Sequence, residues 1–129
     1  MKVIFSIIIL IAIAGGYSWF KTQPTAMCKS SKTSTPYCKY NGNITKVYLN
    51  AQGLVLVYLN ADFSTKSAKE YGYNVGSGSI VSLNIIENKA DLHLYQTILF
   101  AMDEELAVEL HARNTLSGYM KLDRIWLEQ

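Results

Sequence analysis

Between Asn88 and His111 a three-residue apolar rhythm gives way to a two-residue one, a change that predicts a helix running straight into a strand. At about 100° per residue, Leu92, Leu94, Tyr95, Ile98, Leu99, Ala101 and Met102 fall on one half of the helical wheel, a stripe wide enough to cover a small sheet. His93, Gln96, Thr97 and Phe100 form the outer side. Asn88 is placed to cap the helix, and Asp91 lies in the first turn, where a carboxylate complements the macrodipole. Beyond the acidic turn Asp103-Glu104-Glu105, Leu106, Val108 and Leu110 alternate with Ala107, Glu109 and His111, as in a strand with one buried face.

The same patterning predicts the remaining elements. Ile44 to Asn60 reads as a hairpin turning at Asn50-Ala51-Gln52-Gly53, with Gly53 in a left-handed position. Its second run, Leu54 to Leu59, is apolar on both faces and so belongs where the sheet is covered on both sides. Ala61 to Ser79 is a long loop rich in Ser, Lys, Gly and Tyr, with one helical turn near Ser64 to Glu70. Ile80 to Ile86 is a third strand, Asn114 to Gly118 a turn, and Met120 to Glu128 a fifth strand. The class is mainly β with one helix.

Hairpin, strand, helix, then two strands is the order of the oligonucleotide/oligosaccharide-binding fold, a five-stranded Greek-key barrel whose helix lies between strands three and four. Through Ala90 to Ala101 (ADLHLYQTILFA), Leu106-Ala107-Val108-Glu109-Leu110 and Asp123-Arg124-Ile125-Trp126-Leu127, the chain resembles small exported OB-fold proteins. Among these are the B subunits of bacterial AB-type toxins of the subtilase cytotoxin kind. The resemblance spans Ile44 to Glu128 and implies a non-catalytic binding subunit. In those subunits the outer helix face lines the centre of a ring, so His93, Gln96, Thr97 and Phe100 become an expected homo-oligomer interface. Their barrel is tied by a disulfide, whereas both cysteines here precede the first barrel strand.

Met1 to Phe20 bears on the compartment. Lys2 followed by VIFSIIILIAIA has the form of a secretory signal, with cleavage before Gly15 or Tyr17. The alternative is a retained membrane anchor from Val3 to Phe20, which at 18 residues just spans a bilayer. The division is therefore 1–16 signal (or 3–20 anchor), 17–43 a Lys/Ser/Thr-rich arm, and 44–129 the OB-like barrel. Cys28 and Cys38, the chain's two cysteines, are expected to pair in an exported, periplasmic or secreted protein.

Charge adds an asymmetry: Met1 to Asn60 carries six lysines and no acid, and the remainder six basic and ten acidic residues. Enzyme chemistry has little to work with. His93 and His111, the only histidines, stand in no metal-ligand or nucleophile–base spacing, and no metal or cofactor is expected. Gly76-Ser77-Gly78-Ser79 lacks the strand–turn–helix setting of a nucleophile elbow. Nine tyrosines are more informative, since an aromatic face with a hydroxyl tip suits sugars and wet protein interfaces. Tyr37 and Tyr40 near the cysteine loop belong to this aromatic group, and Tyr71, Tyr73 and Trp126 are the expected ligand-binding residues, with a glycan or a protein as partner. The alternative is a membrane-tethered structural or accessory subunit of an envelope assembly, which requires the anchor to be retained, and export argues against nucleic acid.

Overall fold

The expected helix-to-strand junction is present. In the computed structural model, which describes residues 23–129, helix α2 (Lys89–Asp103) leads into strand β6 (Ala107–Leu116). The leader or anchor expected within Met1 to Phe20 lies outside the described residues. The preceding elements are β1 (Thr25–Ser31), β2 (Ser34–Gly42), β3 (Ile44–Leu49), β4 (Leu54–Leu59), the short helix α1 (Thr65–Glu70) and β5 (Ile80–Asn84). Strand β7 (Tyr119–Glu128) ends the fold.

All seven strands form one sheet in the order β1-β2-β6-β7-β5-β4-β3, antiparallel except for the parallel β5–β7 pair. Two expectations are corrected here. The sheet is not a closed five-stranded barrel: among the described residues it has seven strands and two edges, β1 and β3. The segment 25–42 is also not a separate arm, because β1 and β2 form a hairpin that pairs with β6. Both differences have one origin at Gly42-Asn43. There the chain passes from β2, which pairs with β6, to β3, the expected first barrel strand, which pairs with β4, so that strand is directly preceded by one from the other end of the sheet. Gly42 sits at the break with φ +153°, and a Cβ there would come within 2.5 Å of the Tyr40 hydroxyl, which only glycine avoids. Tyr40 fastens the break from inside. Its buried hydroxyl donates to the Asn43 carbonyl and accepts from the Asn60 N–H at 3.1 Å. Desolvation by burial raises the phenol's pKa above its ordinary value, partly offset by the Asn60 bond.

Since β2 and β3 are consecutive in the chain yet have four strands between them in the sheet, the sheet must curl. Its inner face holds Val55, Val57, Val81, Leu83, Val108, Leu110, Met120 and Leu122, all buried. Leu54 to Leu59 is buried or half-buried throughout, in keeping with its unbroken apolar run. Helix α2 adds Ile98 and Ala101 to the core, with Leu94, Tyr95 and Met102 packed against it. Asn88 caps the helix by accepting the Ala90 N–H at 2.9 Å. Asp91 stands in the first turn as expected and has a second role there. It is buried, accepting the Asn84 N–H at 2.9 Å and a salt bridge from Lys121 of β7. The helix start is thereby bolted to the ends of two strands. The expected wide buried stripe is narrower than the wheel implied, since Leu92 and Leu99 are 37% and 42% exposed and flank Phe100 at 52%.

Among the described residues no helix is long and apolar enough to cross a membrane.

Candidate functional site

Alternation decides which side chains leave the curled sheet on its outer face. Along β2, Cys38 and Tyr40 point inward, which turns Tyr37, Lys39 and Asn41 outward. Along β6, Val108, Leu110 and Ala112 are buried, so Glu109, His111 and Arg113 share the outer face. The pairing register sets Lys39 opposite His111, Asn41 opposite Glu109, Glu109 opposite Trp126 and His111 opposite Arg124. A register irregularity between His111 and Ala112 takes up Asp123 as an extra residue in β7, the usual way a bulge re-aims the side chains beyond it.

These outward residues meet around Trp126. The Tyr37 and His111 rings stack with centroids 4.4 Å apart, and His111 meets Trp126 edge-on at 4.7 Å. Arg113 lies over the other part of this assembly, 5.4 Å from the Tyr37 centroid. Trp126 stays 45% exposed, so the stack supports an indole that still faces solvent. On one side of it the charges are paired, Arg124 and Arg113 with Asp123 at 2.7 and 4.0 Å. The Arg113 Nε is buried without a hydrogen-bond partner among the described residues.

Towards the other side runs a polar chain. His111 Nε2 lies 3.1 Å from Glu109, Lys39 is 3.4 Å from the same carboxylate, and Asn41 donates to Glu109 at 3.4 Å and to Glu128 at 3.5 Å. Burial lowers the His111 pKa below 6.5; the Lys39 and Arg124 charges act in the same sense, and Glu109 opposes them. At Glu109 burial works to raise the pKa, but the Asn41 bond, the charge and bond of Lys39 and the His111 bond outweigh it, leaving it below 4.5. At neutral pH the centre of the cluster is therefore a neutral imidazole beside an ionised carboxylate.

Asn41 and Glu128 also line a groove of about 500 Å³ at the end of the sheet, together with Gln23, Asn43, Glu105 and Gln129. Aromatic cluster and groove are thus one continuous surface. Among the described residues no group of three or more His, Cys, Asp or Glu side chains is arranged to hold a metal.

Of the expected ligand-binding residues, only Trp126 belongs to this surface. Tyr73 is buried at 8% exposure, with its hydroxyl donating to the Pro36 carbonyl, so it is part of the core and closed to a ligand. Tyr71 is half-exposed at the C-terminal cap of α1. On α2, His93, Gln96 and Phe100 are exposed as expected, while the Thr97 hydroxyl donates to the His93 carbonyl at 2.9 Å within its own helix. Sequence reasoning had Tyr37 among its candidate aromatics, missed Lys39, Asn41, Glu109, Arg113 and Arg124, and passed over His111 for want of a metal-ligand or nucleophile–base spacing. A period-two count along each strand places them on common faces; only the register brings the faces together. Cys28 and Cys38 face each other across the β1–β2 ladder and form the expected disulfide, a bond that persists in oxidising compartments. The chain matches no protein-family model, no curated protein and no solved structure.

Proposed function

We propose that this chain is an exported, non-catalytic binding module that holds a glycan against Trp126. The observation that carries this reading is the exposed indole braced by the Tyr37–His111 stack and bordered by Asn41, Glu109 and Glu128. An aromatic face presented rigidly to solvent stacks on the apolar face of a pyranose at little entropic cost. Fixed amide and carboxylate groups at its edge then select among hydroxyl arrangements. Export is supported by the Cys28–Cys38 disulfide and by the signal-like Met1 to Gly16. Connectivity from β3 to β7, with α2 between β5 and β6, supports an OB-like ancestry for the curled sheet, a fold whose members bind oligosaccharides as well as oligonucleotides.

A glycan array probed with the disulfide-intact protein tests the reading. Specific binding that Trp126→Ala lowers by roughly tenfold or more supports it, in line with loss of one stacking residue at the centre of an interface. Glycan binding that survives Trp126→Ala unchanged, or a protein partner captured in its place, removes it.

A further inference from the structure

We infer that the groove beside Trp126 receives a sugar unit that donates hydrogen bonds or carries an ammonium group, and that it refuses carboxylated and sulfated sugars. This rests on the reading of Trp126 as a glycan platform and names the class of unit placed next to it. The argument is one of unmatched partners. The cations around Trp126 belong to the aromatic cluster, where Arg113 and Arg124 share the Asp123 carboxylate and Lys39 is paired with Glu109. Among the described residues that line the groove there is no Lys or Arg, while Glu105 and Glu128 both line it.

Neither carboxylate has its acceptor capacity met. Glu128 accepts one long bond, from Asn41 at 3.5 Å, and the Glu105 side chain has no hydrogen bond or ion pair among the described residues. An ionised carboxylate offers about four lone-pair sites, so both can take donors from a ligand. Asn41 divides its amide between Glu109 and Glu128 at 3.4 and 3.5 Å, distances long enough to yield to a better acceptor or donor. Sugar hydroxyls and ammonium groups supply what the groove lacks. A uronate or a sulfate brings more of what it already has, and like charges brought together weaken binding.

Calorimetric titration with three tetrasaccharides decides the matter: β-1,4-linked N-acetylglucosamine, its fully de-N-acetylated form, and galacturonic acid. We expect the de-N-acetylated form to bind roughly tenfold more tightly than the acetylated one, as for partly exposed ion pairs acting together, with no binding of the galacturonate. In the double variant Glu105→Gln, Glu128→Gln that preference collapses to within about threefold. Both glutamates are exposed, so the variant keeps its fold. Galacturonate binding as tight as the others, or a charge preference the double variant leaves intact, overturns the inference and leaves the Trp126 platform standing. Failure of all three sugars alongside Trp126-dependent array binding likewise overturns only the inference. Failure of both experiments removes platform and groove together.

Discussion

His111 lies between two rings and a carboxylate, and each neighbour acts on its charge. Its desolvation, reinforced by Lys39 and Arg124, outweighs the pull of Glu109 and holds the folded-state pKa below 6.5. The unfolded chain therefore takes up this proton at a higher pH than the folded one does. The stability contributed by neutral His111 is fully present above about pH 6.5 and is lost as pH falls through the depressed value. Glu109 acts in the same direction at lower pH, its contribution being lost as pH falls from 4.5 through its own lowered pKa. Thermal unfolding followed between pH 7 and pH 5 should thus show falling stability, and His111→Phe, which keeps a ring between Tyr37 and Trp126, should flatten the decline. An equally steep decline in the variant would locate the titrating group elsewhere. The cluster was only half legible in the sequence for a reason of scale. Period two fixes which residues of a strand share a face, but the identity of the opposing residue is set by register, which no single strand encodes.

At the scale of the element, α2 shows what the apolar rhythm can and cannot reveal. Its existence, its Asn88 cap and its core residues Ile98 and Ala101 follow from the periodicity. The function of Asp91 does not, because a first-turn acid looks the same in sequence whether it faces water or a strand. Here it is buried against Lys121, and truncating one member of such a pair leaves the other cation uncompensated. Asp91→Ala should cost about 3–5 kcal/mol in denaturant unfolding, and a loss below 1 kcal/mol would mean that water replaces the carboxylate. The other end of the helix is mis-optimised in a revealing way. Leu106 N–H bonds the Ala101 carbonyl and Glu105 N–H the Met102 carbonyl, a Schellman closure whose left-handed position falls on Glu105 at φ 53°. Glycine is favoured there, and a carboxylate at a helix C-terminus opposes the macrodipole. Glu105→Gly should therefore raise stability by about 0.5–1 kcal/mol in the same assay, and a destabilised variant would show an unseen role for the side chain in the fold. The wild-type choice makes sense where a carboxylate is wanted in the groove more than in the helix.

For the molecule as a whole, the largest departure from expectation is the hairpin β1–β2, and it also determines whether the Trp126 surface forms. Its sequence offers few inward apolar residues, chiefly Cys38 and Tyr40, and Pro36 interrupts the run, so the hydrophobic pattern alone reads as an arm. What holds it is the Cys28–Cys38 bond across directly paired residues together with the ladder to β6. Closing this loop of about 11 residues contributes about 2.5–3 kcal/mol on the chain-entropy estimate, comparable to burying one large apolar side chain. Strand β2 carries Tyr37, Lys39 and Asn41, which supply the ring beneath His111, the cation on Glu109 and the amide shared with the groove. Loss of the disulfide should therefore act on binding as well as on folding. In Cys28→Ser, Cys38→Ser the remaining sheet, β6-β7-β5-β4-β3 with α2, keeps the greater part of the buried core, whereas the β2 residues lose their tether. Hydrogen exchange of 25–42 should then accelerate well beyond that of β4 and β5, with glycan affinity falling in parallel. Uniform protection across all strands with unchanged affinity would show that the β2–β6 ladder suffices by itself. The expected pattern makes the redox state of one bond a condition for assembling the Trp126 surface, as suits a module that works where disulfides persist.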